Sequence, residues 1–94
     1  EVAERAYVQA PFNPDVIDTF GWALVQTGDA ARGLELLRAA SSLAPANQEI
    51  RLHFAKALIK SGDKASARRE LEPLTKLDQS SPLRADAEKL LGAL

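Results

Sequence analysis

His53 is the only histidine and the chain has no cysteine. It therefore offers neither a histidine cluster nor a thiolate set for a metal ion, and no disulfide. Ser61-Gly62-Asp63-Lys64 places a serine three residues before a lysine, as some acylating enzymes do. Its companion motifs are missing, however, and the four residues fall on a turn where Gly62 and Asp63 already have structural work. Gly28-Asp29 and Gly62-Asp63 do not make a phosphate loop, because neither is followed by Lys-Ser or Lys-Thr at the required offset. What remains is non-covalent chemistry, carried by His53, Asp18 and Trp22. A lone histidine is more often a hydrogen-bonded structural group than a ligand or a catalyst. We expect Asp18 or a nearby backbone carbonyl to accept a hydrogen bond from His53, with Trp22 packed beside it. No enzymatic activity and no cofactor are expected.

The elements that must position these residues repeat along the chain. Asn13, Asn47 and Ser81 lie thirty-four residues apart, as do Gly28 and Gly62, Asp29 and Asp63, and Phe20 and Phe54. Each landmark has a local reason. Asn13 can cap a helix that starts at Pro14, where no donor is needed, and Asp15 adds negative charge at the positive helix end. Ile17, Phe20, Gly21 and Leu24 recur on one face. Gly28 permits the left-handed turn that ends this helix, and Asp29 can cap the next at once. The second helix carries Leu34, Leu37, Ala40 and Leu43 and stops before Pro45. From Asn47 the pattern runs again: Phe54, Ala55 and Leu58, the Ser61-Gly62-Asp63 turn, then Ala67, Leu71, Leu74 and Leu77.

A thirty-four-residue unit of two helices resembles the tetratricopeptide repeat (TPR) family. The family's sequence of large, Leu-Gly, aromatic, small, aromatic, Ala and Pro positions falls on Ile17, Phe20-Gly21, Leu24, Gly33, Leu37, Ala40 and Pro45. In the second unit it falls on Arg51, Phe54-Ala55, Leu58, Ala67, Leu71, Leu74 and Gln79, of which Arg51 and Gln79 depart from it. The resemblance implies an all-α helix-turn-helix solenoid in one array, 1–94. Residues 1–12 are expected to be the end of a preceding repeat, 13–46 and 47–80 two full repeats, and 81–94 a capping helix.

Both ends carry further expectations. Pro11 stands one period before Pro45, so 1–10 reads as the back half of a second helix whose partner is missing, as if the chain began inside a larger protein. That would expose Val2, Ala3, Ala6 and Tyr7 and favour self-association there. At the other end Leu83, Ala87, Leu90, Leu91 and Leu94 form an inward stripe. Strict register would put Glu88 and Lys89 in buried slots, so we expect one extra residue in the 78–82 linker. Pro73 sits inside the last repeat's second helix and predicts a kink or break at Glu72–Pro73, with Leu74 and Leu77 folding over the cap.

Composition sets outer bounds. A formal net charge of −1 argues against a dedicated nucleic-acid or anionic-membrane surface. Lys60, Lys64, Arg68 and Arg69 are interrupted by Glu70 and Glu72 and read as a solvated face. No apolar run approaches a membrane span and no signal peptide is visible, so a membrane would be reached only through an anchor outside these residues.

In TPR arrays a second stripe of the first helices, about 110° from the packing face at about 100° per residue, lines the concave groove. Here it holds Asp18, Trp22 and Val25, then Leu52, Lys56 and Ile59. That mixture suits a protein or peptide partner with apolar anchors rather than a small-molecule substrate. The alternative is that Trp22 and Leu52 only pack neighbouring helices together. Arrays that clamp a chain-terminal carboxylate use paired cationic positions. These are Asp18 and Trp22, Leu52 and Lys56, and either Asp86 and Leu90 or Ala85 and Lys89, so no cationic fork forms. Asp18-Thr19-Phe20-Gly21-Trp22 followed by Glu49-Ile50-Arg51-Leu52-His53 is similar to the C-terminal repeats of the bacterial PEP-CTERM-system TPR lipoprotein. That resemblance implies a periplasmic, membrane-anchored scaffold linked to exopolysaccharide export and protein sorting. A spacer or capping end without a ligand, and an accessory domain of an enzyme whose catalytic part lies outside these residues, are the other readings.

Overall fold

The computed structural model describes residues 2–94; residue 1, counted above with the first segment, lies outside the described residues. Six α-helices follow one another: α1 (Val2–Gln9), α2 (Pro14–Thr27), α3 (Ala30–Leu43), α4 (Gln48–Lys60), α5 (Lys64–Leu71) and α6 (Pro82–Ala93). A 3-10 segment, Glu72–Lys76, lies between α5 and α6. No strand occurs among the described residues, and no helix there is long and apolar enough to cross a membrane.

The helix ends form as their residues dictate. Asn13 Oδ1 accepts from the N–H of Asp15 and Val16 at 3.0 and 3.3 Å. Asn47 does the same for Ile50 at 3.1 Å. Asp29 and Asp63 cap α3 and α5 through Arg32 and Ser66. The Asn13 and Asn47 caps stabilise by about 1 kcal/mol each. Gly28 and Gly62 adopt φ of 107° and 86°, which lets the Asp29 and Asp63 N–H groups reach back to Leu24 and Leu58 at 2.9 Å. Ser81 precedes α6 without a side-chain capping bond.

The helices form two layers. The first helices touch in succession, α2 with α4 and α4 with α6, while the second helices α1, α3 and α5 pack chiefly on first helices rather than on one another. The closely spaced first helices are therefore the inside of the curve and the spread second helices its outside. Ile17, Phe20 and Gly21 of α2 and Gly33, Leu37 and Ala40 of α3 are buried between them. Leu24 and Leu34 are only half-buried, and Leu43, expected on the buried stripe, is 50% exposed at the end of α3.

The break at Pro73 is present. α5 ends at Leu71 and the chain tightens into the 3-10 segment, because a proline cannot continue the i to i−4 ladder. Leu74 is thereby buried in a cluster with Ala87, and Leu77, Leu83, Leu90 and Leu91 pack on it.

Two expectations about the ends are corrected. α6 starts at Pro82 behind Ser81, in strict register with Gln48 behind Asn47 and Pro14 behind Asn13, so the linker holds no extra residue. The shift was inferred to keep Glu88 and Lys89 out of buried slots. Among the described residues α6 packs on the elements before it, α4, α5 and the 3-10 segment, through Ala87 and its flanking leucines, and both charges are exposed. Tyr7, expected to be exposed, is half-buried: its ring lies 5.2 Å from that of Phe20 and packs on the Ile17, Ala40 and Ile50 cluster. Ala3 and Ala6 are likewise half-buried, and of the four only Val2 is exposed as expected.

Candidate functional site

The inner layer brings α2 against α4, and three side chains meet where they cross. Asp18 Oδ1 lies 2.8 Å from His53 Nδ1, with the two side chains 14% and 26% exposed. The Trp22 ring stacks on the His53 imidazole with centroids 4.7 Å apart and planes at 11°. Lys56 Nζ sits 5.6 Å from the centroid of Trp22, within reach of a cation–π contact. The expected bond from His53 to Asp18, with Trp22 beside it, is thus present. The spacing explains it: Asp18 and Trp22 are one turn apart on α2, and His53 and Lys56 three residues apart on α4, so each pair shares a face.

The six stripe residues divide. Asp18, Trp22 and Lys56 are half-buried and keep part of their surface on the inner layer. Val25 does not line a groove. It is 1% exposed, in a core cluster with Leu37, Phe54 and Leu58, because Gly33 offers no Cβ and Val25 closes into the space that one would take. Leu52 is 4% exposed and packs with Leu71, Leu74 and Ala87, because the 3-10 segment and α6 close over it. Ile59 is half-buried and packs against both clusters. Packing between neighbouring helices, the alternative weighed for Trp22 and Leu52, accounts for Leu52 wholly and for Trp22 in part. Gly21 is buried against α3.

Nothing reactive gathers elsewhere among the described residues. Among the described residues no group of His, Cys, Asp or Glu could hold a metal. Ser61 donates to the Ala57 carbonyl at 3.0 Å, as the end of a helix requires, and Asp63 is engaged as a cap. The Ser66 hydroxyl, then the Ser66 N–H, hold the Asp63 carboxyl below its ordinary value, with Arg69 adding to the effect. Asp78 is lowered likewise by the N–H and hydroxyl of Ser80.

Sequence reasoning passed over a second feature, on the outer layer. A cavity of about 380 Å³ lies between α1 and α3, lined by Tyr7, Phe12, Ile17, Leu36 and Leu43 among others. The available signal was the mismatch between Ile17 and Leu36 and their repeat equivalents, Arg51 and Glu70. Arg51, noted as a departure from the repeat pattern, lies 3.7 Å from Glu70 and donates to the Pro45 carbonyl at 3.2 Å.

Helical pairs stacked at a thirty-four-residue period define a helical-repeat solenoid. The tetratricopeptide repeat profile matches residues 24–94, and the chain belongs to that family. Repeats of this family generally mediate protein–protein interaction and are typically non-catalytic. No curated protein sequence matches the chain.

Proposed function

We propose that this chain is a non-catalytic adaptor that holds a peptide or protein segment on its inner layer. The observation that carries the reading is the grouping of Trp22, Asp18, His53 and Lys56 at the α2–α4 crossing. A half-buried Trp22 that stacks on His53 and lies beneath the Lys56 ammonium, with Asp18 bonded to His53, suits a segment that offers apolar and polar groups side by side. A chain-terminal carboxylate is disfavoured: strict register places Asp86 and Leu90 at the last clamp positions, and Lys56 is the single cation in the set.

The finer reading is a segment of an exported bacterial scaffold, a membrane-anchored periplasmic lipoprotein of the PEP-CTERM system linked to exopolysaccharide export. Its support is the Asp-Thr-Phe-Gly-Trp and Glu-Ile-Arg-Leu-His pattern, whose Asp18, Trp22 and His53 meet in one contact. A spacer without a ligand is the second reading, favoured by the burial of Val25 and Leu52. The test is a photoreactive residue in place of Trp22 in the full-length protein, crosslinked in cells and read by mass spectrometry. It is paired with Lys56→Glu, which should cut capture of the crosslinked partner at least tenfold. Capture indifferent to Lys56→Glu, or no specific crosslink, would leave the spacer. Recovery of the protein from cytosol rather than periplasmic membranes would refute the finer reading alone.

A further inference from the structure

The outer-layer cavity is open where its repeat equivalent is ionic. Ile17 and Leu36 form part of its apolar wall, with Tyr7, Phe12 and Leu43. At the same positions one repeat later Arg51 and Glu70 pair at 3.7 Å. Phe12 is 83% exposed and Leu43 50% exposed at the cavity's rim. This openness does not depend on what precedes α1. The second seam does have a first helix, α2, in front of it, and the equivalents Pro45, Ala46, Pro73 and Lys76 are exposed all the same. A helix set before α1 as α2 is set before α3 would leave the first seam open in the same way.

We propose that this seam is a dimer interface between two copies of the chain, each inserting Phe12 into the other's cavity. The patch carries both the projecting ring and the hollow that could receive one, the self-complementarity that a two-fold interface requires. Pro11, Phe12, Ala39, Ser42 and Leu43 are neutral, and the charges nearby on α3, Glu35 and Arg38, lie 3.8 Å apart on one helix. Neutral rim residues set no charge against its own copy across a two-fold axis. An exposed phenylalanine beside an apolar hollow is also costly to leave in water. The face lies opposite the inner layer, so a dimer would leave Trp22 and Lys56 free and place two grooves on one particle.

The test is sedimentation of the 94-residue chain from micromolar to millimolar concentration, comparing wild type with Phe12→Ser and Ala6→Glu. Wild type should show a reversible monomer–dimer equilibrium. Phe12→Ser, which removes two rings per dimer from exposed positions and so spares the fold, should weaken it at least tenfold. Ala6→Glu charges a different cavity, the one lined by Ala3, Ala6, Val16 and Thr19, and should leave the equilibrium unchanged. A wild type monomeric at every concentration overturns the proposal, as does a dimer indifferent to Phe12→Ser. Dissociation by Ala6→Glu alone would overturn it by moving the interface to the other side of α1. A monomer that loses a heterologous partner on Phe12→Ser would assign the cavity to that partner and refute the dimer.

Discussion

Gly33→Ala should be among the most damaging single-methyl additions in this chain. A Cβ at Gly33 would stand 2.6 Å from the Gly21 carbonyl oxygen, 2.6 Å from Val25 Cγ2 and 2.9 Å from the Val25 nitrogen. Two of these three are backbone atoms of α2 and cannot rotate aside. Ordinary contact begins at 3.4 Å, so α2 must retreat from α3 by about 0.8 Å, and forced shifts of that kind cost about 1–3 kcal/mol. Alanine's better helix propensity returns at most about 1 kcal/mol; taking the upper half of that cost, since backbone and not side chain must move, leaves a net loss of about 1–2 kcal/mol. For a domain of this size that lowers Tm by about 5–15 °C. The second repeat is the internal comparison: it carries Ala55 and Ala67 at the positions of Gly21 and Gly33, both fully buried, so its helices must leave room for two methyls. Thermal unfolding followed by far-UV circular dichroism measures the loss. The single tryptophan gives a second readout, because moving α2 shifts Trp22 against His53 and should change its fluorescence. Gly21→Ala, whose Cβ would meet side chains at 3.0 and 3.2 Å and the Gly33 carbonyl at 3.2 Å, should cost less. A Gly33→Ala chain as stable as wild type would refute the close approach of α2 and α3.

Two further outcomes are expected. His53→Ala should destabilise by about 1–2 kcal/mol through loss of the Asp18 bond and the Trp22 stack, and His53→Gln by less, because an amide can still donate to Asp18. If both variants melt like wild type yet lose the partner, His53 belongs to the recognition surface and not to the joint between repeats. The folded Asp63 carboxyl is held below its ordinary value by Ser66 and Arg69, so it binds a proton less readily than in the unfolded chain. Its stabilisation is therefore fully present above the unfolded carboxyl pKa of about 3.9 and is lost as pH falls through the lower folded value. Asp63→Asn keeps a capping side chain but lacks the charge, so it should be less stable than wild type near neutral pH and approach it as the pH falls. A wild-type-minus-variant difference in denaturant midpoint that stays constant down to about pH 3 would contradict the assignment.

What was legible in the sequence is what local chemistry decides. Caps at Asn13 and Asn47, turns at Gly28 and Gly62 and the break at Pro73 depend on residues within a turn of one another, and each formed as expected. The contact between His53 and Asp18 is longer in range, yet the repeat period carries it, because it brings equivalent faces together at each step. Misreadings arose where a third element decides burial. Val25 and Leu52 fall on the stripe that should line a groove, but Gly33 draws Val25 inward, and the 3-10 segment and α6 cover Leu52. Helical angle alone cannot report either, since both depend on how far apart neighbouring helices stand. The register of α6 was misread for a related reason: its apolar stripe was fitted to a full repeat, although it packs on the elements before it.

The two seams between repeats exchange polarity, and this locates the candidate functional surfaces. On the inner layer the first seam joins Asp18 to His53, while the equivalent residues of the second, Leu52 and Ala87, are buried in one apolar cluster. On the outer layer the order reverses: Ile17 and Leu36 border an open cavity in the first seam, and Arg51 and Glu70 pair in the second. That pair is about one quarter exposed, so it contributes at most about 1 kcal/mol, and its main effect is to fill the seam with polar atoms that no apolar partner would displace. The apolar cluster has the opposite effect, fixing α6 on the array without presenting donors or acceptors. The second seam and the cap behind it are thus built to be stable and unreceptive on both layers. The residues that retain something to offer, Trp22 with Asp18 and Lys56 inside and Phe12 with Leu43 outside, are gathered around α2.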